Sequence, residues 1–222
     1  MLSVFSVKNK AIFLVLFVLF LDQSLKIWIK THMIIGQEYH LIGNWFCIHF
    51  IENYGMAFGI EFGGRAGKLL LGLLRISAII AIIWYLNELI RKKAKTGLVL
   101  SIALILAGAI GNMLDSFFYG MIFNEHYGAT ASLFQQKGIY SAFLNGKVVD
   151  MLYFPIIHGN YPQWIPILGG RNFLFFRHIF NLADASIFSG LVYILIFQKN
   201  FYRTKTTANN TKKVDSDNLD TK

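Results

Sequence analysis

Four stretches of this chain are apolar for long enough to cross a bilayer: residues 11–29, 69–86, 97–114 and 179–197. A helix rises 1.5 Å per residue, so about 20 such residues span the ~30 Å hydrocarbon layer. The pattern predicts an all-α membrane protein of four transmembrane helices, with one integral membrane domain over residues 1–199. Two long segments separate the spans, residues 30–68 and 115–178. In the first, His40 to Ile51 is rich in aromatic and β-branched residues and reads as strand, so a small β-rich loop is expected there. The second holds all three prolines, Pro155, Pro162 and Pro166. Its Trp164, Phe173, Phe175 and Phe176 suit a membrane interface. Residues 200–222 form a polar tail expected to be disordered. There is no internal repeat.

Composition supports the pattern. Charged residues make up 15% and hydrophobic residues 55%, where soluble domains carry about 25% charged residues. A disordered chain is excluded and an ordinary soluble enzyme is disfavoured. Lys8 and Lys10 precede the first span as in a signal peptide. However, no small-residue cleavage site follows, and the run continues past Asp22 and Lys26 to Ile29, so the span is expected to be retained.

The net charge of +9 gains meaning from its distribution. Lys8, Lys10, Arg91, Lys92, Lys93, Lys95, Lys199, Arg203, Lys205, Lys212, Lys213 and Lys222 flank the termini and the short link between spans two and three. Lys30, Arg65, Lys68, Lys137, Lys147, Arg171 and Arg177 are spread over the two long loops. Positive charge concentrates on the cytoplasmic side of membrane proteins. Both termini are therefore expected inside, with both long loops outside. Topology explains the basic charge, and a nucleic-acid partner has no support.

Polar residues are costly within spans, so their depth is informative. Asp22 and Lys26 fall in the outer half of span one. Asn112 and Asp115 fall at the outer end of span three, and Asn181 and Asp184 near the start of span four. With Asp150 in the outer segment, four carboxylates converge on one membrane level. Structural readings accompany each. Asp22 and Lys26, spaced i, i+4, can neutralise each other, and the asparagines can join helices. Asp115 can cap a helix or pair with an arginine, and Arg75 can snorkel outward. Asp184 has no basic residue within one turn and is harder to explain structurally.

Two carboxylates crowded in a poorly solvated site share a proton. The charged member can then activate water while the neutral one protonates the leaving group. Such chemistry needs no metal or other cofactor. Cys47 and His49 alternate on the predicted strand and face one way, but a packed thiol is the stronger reading than a catalytic pair. The six histidines show no metal-ligand spacing along the chain, and one cysteine allows neither an intrachain disulfide nor a cysteine zinc cluster. A proton-coupled carrier with Asp184 as relay is an alternative, although inverted repeats and broken helices are not visible. A non-catalytic assembly subunit is another.

Five motifs, in chain order, resemble those of the lipoprotein signal peptidases (signal peptidase II). Asp22 to Lys26 resembles the family's D-x-x-x-K element. Asn53 to Phe58 resembles N-x-G-x-A-F, and Gly108 to Asp115 resembles G-x-x-G-N-x-x-D. Val148-Val-Asp150 resembles V-x-D, and Phe180 to Asp184 resembles F-N-x-A-D. The resemblance implies an aspartic endopeptidase of the bacterial inner membrane. Such an enzyme removes signal peptides from diacylglyceryl-modified prolipoproteins, cleaving before the lipidated cysteine. It implies Asp150 and Asp184 as the catalytic dyad at the outer face, oriented by Asn112 and Asn181. Asn53 and Gly55 would shape the loop over the substrate, and Asp22, Lys26 and Asp115 would form a supporting polar shell. Prolipoproteins and membrane lipids are the implied partners, and a monomer is expected. The chain departs from the family in having Ser116 where an arginine usually follows the helix-three aspartate; Arg75, Arg171 and Arg177 are candidate replacements. Residues 121–147 are longer than usual and are expected to form a lid or rim beside the dyad.

Overall fold

The computed structural model describes residues 6–53, 64–123, 128–133, 143–167, 169–175 and 177–217. Gly55 and about half of the expected lid, residues 124–127 and 134–142, lie outside these. Among the described residues, four helices are long and apolar enough to cross a membrane: α1 (Val7–His32), α2 (Gly64–Arg91), α3 (Thr96–Ile122) and α4 (Leu182–Asp217). The strands are β1 (Glu38–Ile42), β2 (Phe46–Asn53), β3 (Val148–Tyr153), β4 (Ile157–Asn160), β5 (Asn172–Phe175) and β6 (Ile179–Phe180). The chain is thus a multi-pass membrane protein with a small sheet at one end of its bundle.

Helix α3 is the central one. Within its apolar window 44% of residues are buried, against 17% in each of the other three. Small residues let α4 approach it. A Cβ on Gly108 would lie 2.2 Å from the Ala183 carbonyl oxygen, and one on Gly190 would lie 2.6 Å from that of Ser101. Backbones meet closely at such positions, as is usual between helices in lipid.

The main sheet has the order β1-β2-β3-β6, and its paired strands are antiparallel. Val149 and Met151 of β3 join Phe50 of β2 in a cluster with Ile29 and Met33 of α1 and its flank, and with Tyr119 and Phe123 at the end of α3. This packing seats the sheet on the bundle. An ion pair between Lys30 and Glu52, both nearly buried, adds a second tie.

Several boundaries differ from the sequence expectation. The segment from His40 to Ile51 is not one strand but a hairpin. Gly43, with φ of +52°, lies at the break between β1 and β2, a conformation glycine adopts at little cost. The fourth span starts as strand, Ile179 and Phe180 pairing with β3, and becomes helix at Leu182. Asp184 is therefore in the first helical turn. Helix α3 continues to Ile122, so Asp115 lies inside the helix rather than at its end. Helix α4 runs to Asp217, through most of the tail expected to be disordered. No glycine or proline follows Gly190 to break it.

Candidate active site

The site is assembled where β3, the end of β2 and the start of α4 meet the side of α3. Strand alternation turns Val148 and Asp150 toward a cavity of about 440 Å³, while Val149 and Met151 pack into the core. Asn53 pairs across the sheet with Val148, which points its side chain to the same face. Asn53, Asn112, Asp150 and Asp184 line the cavity with Arg75, and Ala78, Ile79, Ala109 and Ile187 give it an apolar side.

Asp150 is 4% exposed and accepts on both oxygens. Asn53 Nδ2 donates to Oδ2, and Asn181 Nδ2 donates to Oδ1 at 2.7 Å. Burial, and then the nearby Asp184 charge, push the Asp150 carboxyl up to about 7, against the smaller opposing effect of those donors.

Asp184 is held by a capping box. Asn181 precedes the first helical residue, and its Oδ1 accepts from Asp184 N–H at 2.9 Å. Asp184 Oδ2 accepts in return from Asn181 N–H at 3.3 Å. This reciprocal pair satisfies two orphan donors at a helix start, so Asn181-Leu-Ala-Asp184 is at once a helix signal and a site motif. Asn112 Nδ2 donates to the remaining oxygen, Asp184 Oδ1, at 2.8 Å. The positive end of the helix dipole also faces this carboxylate.

Behind the two aspartates lies a buried polar cluster. Lys26 is fully buried and spends its three hydrogens on Asp22 Oδ2 at 2.9 Å, Asp115 Oδ2 at 2.8 Å and Asn112 Oδ1 at 3.0 Å. Asp22 Oδ1 accepts from Ala183 N–H at 2.9 Å, which anchors the start of α4. Asp115 Oδ2 accepts from Val149 N–H at 3.3 Å, which anchors β3 beside Asp150. Gly111 permits this cluster, because a Cβ there would meet Asp22 Oδ2 at 2.9 Å.

All the expected site residues that the structure describes come together: Asp22, Lys26, Asn53, Asn112, Asp115, Asp150, Asn181 and Asp184. Three details were not anticipated. Gln23 bridges Asp22 and Asp115, donating at 3.1 and 2.9 Å, and accepts from Tyr119 Oη at 3.0 Å. Its place beside Asp22 on a helix gave no hint of that role. Arg75 does not snorkel outward; it lines the cavity and donates to Ser116 Oγ. Among the described residues, the ion pair of Asp115 is with Lys26.

A family model described as signal peptidase (SPase) II matches residues 14–199. The chain belongs to the signal peptidase II family. A lipoprotein signal peptidase of Porphyromonas gingivalis is 48% identical over 184 residues, 82% of this chain and 80% of the relative. One of Amoebophilus asiaticus is 39% identical over 180 residues, 79% and 72% of the two chains. Two solved structures of bacterial membrane enzymes share the fold. One has a TM-score of 0.58 at 24% identity, covering 87% of this chain and 90% of that one. The other has a TM-score of 0.54 at 25% identity, covering 84% and 90%. As a signal peptidase II, the chain is a peptidase embedded in a membrane by several helices. Its departure at Ser116 leaves a cation beside that position, supplied from α2.

Proposed function

We propose that this chain removes signal peptides from diacylglyceryl-modified prolipoproteins, cleaving before the lipidated cysteine, with Asp150 and Asp184 as its catalytic dyad. The observation that carries the reading is that Asp150 and Asp184 line one cavity and are held by the same asparagine, Asn181. Its apolar side, between α2, α3 and α4, suits a substrate that arrives laterally from lipid.

The chemistry follows from the electrostatics. A pair that holds one proton carries it on Asp150, whose carboxyl is pushed up to about 7. Asp184 is then the carboxylate that takes a proton from the attacking water as oxygen bonds to the scissile carbonyl carbon. Asp150 gives its proton to the carbonyl oxygen. On collapse the C–N bond breaks, the proton taken from water passes from Asp184 to the leaving amine, and one hydroxyl of the gem-diol returns a proton to Asp150, leaving the carboxylic acid product. Asn112 and Asn181 orient the two carboxyls, Asn53 fixes Asp150 from the sheet, and Lys26 with Asp22 and Asp115 supports them. Both termini and Arg91 to Lys95 face the cytoplasm, and the sheet with Asp150 faces outward in the inner membrane of a bacterium. The enzyme acts as a monomer.

The test is cleavage of one precursor, with and without its diacylglyceryl group, by the purified protein. The lipidated form should be cut before its cysteine by the unmodified enzyme, but by neither Asp150→Asn nor Asp184→Asn. Equal cutting of the unlipidated form would overturn the substrate assignment, and full activity in either variant would overturn the dyad.

A further inference from the structure

Away from the dyad, the β1–β2 hairpin gathers four side chains of metal-binding type on one face. Register pairs Glu38 with His49 and His40 with Cys47. Each strand contributes residues i and i+2, which point the same way, and directly paired residues share a face. The result is a square of carboxylate, imidazole, thiol and imidazole. One ligand atom from each of Glu38, His40 and Cys47 lies within 4.8 Å of the others. His40 Nδ1 is 3.2 Å from Cys47 Sγ. His49 Nδ1 is 2.9 Å from Glu38 Oε2.

Two further observations point to a ligand. His49 Nδ1 is buried and has no hydrogen-bond partner among the described residues, since Glu38 Oε2, though close, lies outside hydrogen-bond alignment. Cys47 is fully buried, its sulfur enclosed beside the Glu38 carboxylate and 3.2 Å from His40 Nδ1. The square therefore concentrates lone pairs and potential negative charge at one point.

We propose that Glu38, His40, Cys47 and His49 form a binding site for a zinc-class divalent cation. One sulfur, two nitrogens and one carboxylate oxygen make a donor set that zinc favours, and one that magnesium and calcium do not. Tetrahedral zinc at 2.0–2.3 Å from its ligands holds them roughly 3.5 Å apart, so Glu38, His40 and Cys47 need only small side-chain rotations to close, and His49, beside Glu38, turns further to complete the set. His40, with its side chain 55% exposed, can supply that movement. Binding displaces the thiol proton to solvent, and thiolate plus carboxylate neutralise the ion. The histidines lack metal spacing along the chain because the site is written as two short pairs, Glu38-x-His40 and Cys47-x-His49, joined only by the hairpin register. A bound ion staples β1 to β2, the strand whose far end carries Asn53.

Cys47 is the chain's single cysteine, which gives a direct readout on the full-length protein in detergent. Alkylation of Cys47 should slow at least tenfold in micromolar Zn²⁺ and be unaffected by Mg²⁺. Co²⁺ should give the intense near-ultraviolet absorption of a cobalt–thiolate bond. Both effects should vanish in His40→Ala and weaken in Glu38→Gln. If the thiol proves too buried for a measurable alkylation rate, the cobalt spectrum decides. No thiolate absorption with Co²⁺, or Zn²⁺ protection that persists in His40→Ala, would overturn the site.

Discussion

Asn112 and Asn181 are joined side chain to side chain, Asn181 Nδ2 donating to Asn112 Oδ1 at 3.1 Å, and each donates to a different aspartate. The two amides form a bridge under the pair, with Lys26 at one end. Every polar atom of that bridge has a partner. The relative placement of Asp150 and Asp184 is thereby fixed by hydrogen bonds rather than by packing alone.

Replacing either aspartate by asparagine should stop cleavage while leaving an inserted protein. A positioned acid or base contributes on the order of 10²–10⁴ in rate, and each single variant should lose at least the lower part of that range. The double variant should be little worse than either single one, because the two act as a unit. Turnover on one lipidated precursor measures all three.

Activity should fall as pH rises through about 7, where Asp150 gives up its proton. Stability follows the same sign. Asp150 holds its proton up to about 7 in the fold, against an ordinary value of 3.8. Between those values the folded state binds more protons than the unfolded one, so stability declines across that window as pH rises. The unfolding midpoint in detergent should drop from pH 5 to pH 8, and the slope should flatten in Asp150→Asn.

Lys26→Met should be strongly destabilising. It leaves Asp22 and Asp115 buried without their cation, a loss of about 3–5 kcal/mol for a broken buried pair. Adding Asp22→Asn and Asp115→Asn should recover part of the lost midpoint in thermal unfolding. A variant as stable as the parent would show that the cluster is not held by charge.

Arg75 lines the cavity that Asp150 and Asp184 share, where its guanidinium can donate to a substrate carbonyl. Such a charged hydrogen bond contributes about 1.5–3 kcal/mol, so Arg75→Gln should raise KM about tenfold or more with a smaller change in kcat. Ser116→Ala should move KM the same way by less, because Ser116 only holds the guanidinium. Steady-state kinetics on one precursor separates the two parameters.

Gly108→Ala should cost both stability and activity. Its Cβ would meet a backbone oxygen of α4 at 2.2 Å, forcing apart the helices that carry Asn112 and Asp184. Gly97→Ala should be milder, because the clash is with the end of the Tyr193 side chain, which can rotate. Melting curves and turnover of the two variants make the comparison.

The spans and the aspartates were legible in the sequence for the same reason. Lipid demands long uninterrupted apolar runs, so every carboxylate near one stands out, and Asp184 did so most. What escaped were features set by the third dimension. Arg75 looked like a snorkelling cation because one helix does not reveal which neighbour covers it. Gln23 looked incidental because its partners are on α3. The hairpin within residues 38–53 was hidden because aromatic and β-branched residues continue through its turn. The start of α4 was misplaced because Ile179 and Phe180 are as apolar as any helical residue, and only the capping box at Asn181 marks the change.

Strand β6 is two residues long, yet it binds β3 and runs through Asn181 straight into the helix bearing Asp184. Leu152 faces Phe180 and Tyr153 faces Ile179, so the chain that carries one carboxyl is zipped to the chain that carries the other. The gap between the two carboxyls is thus set like the jaws of a caliper, by backbone register. A slip of one residue in β3 would turn Asp150 to the opposite face of the sheet and leave the jaws empty without altering a single side chain.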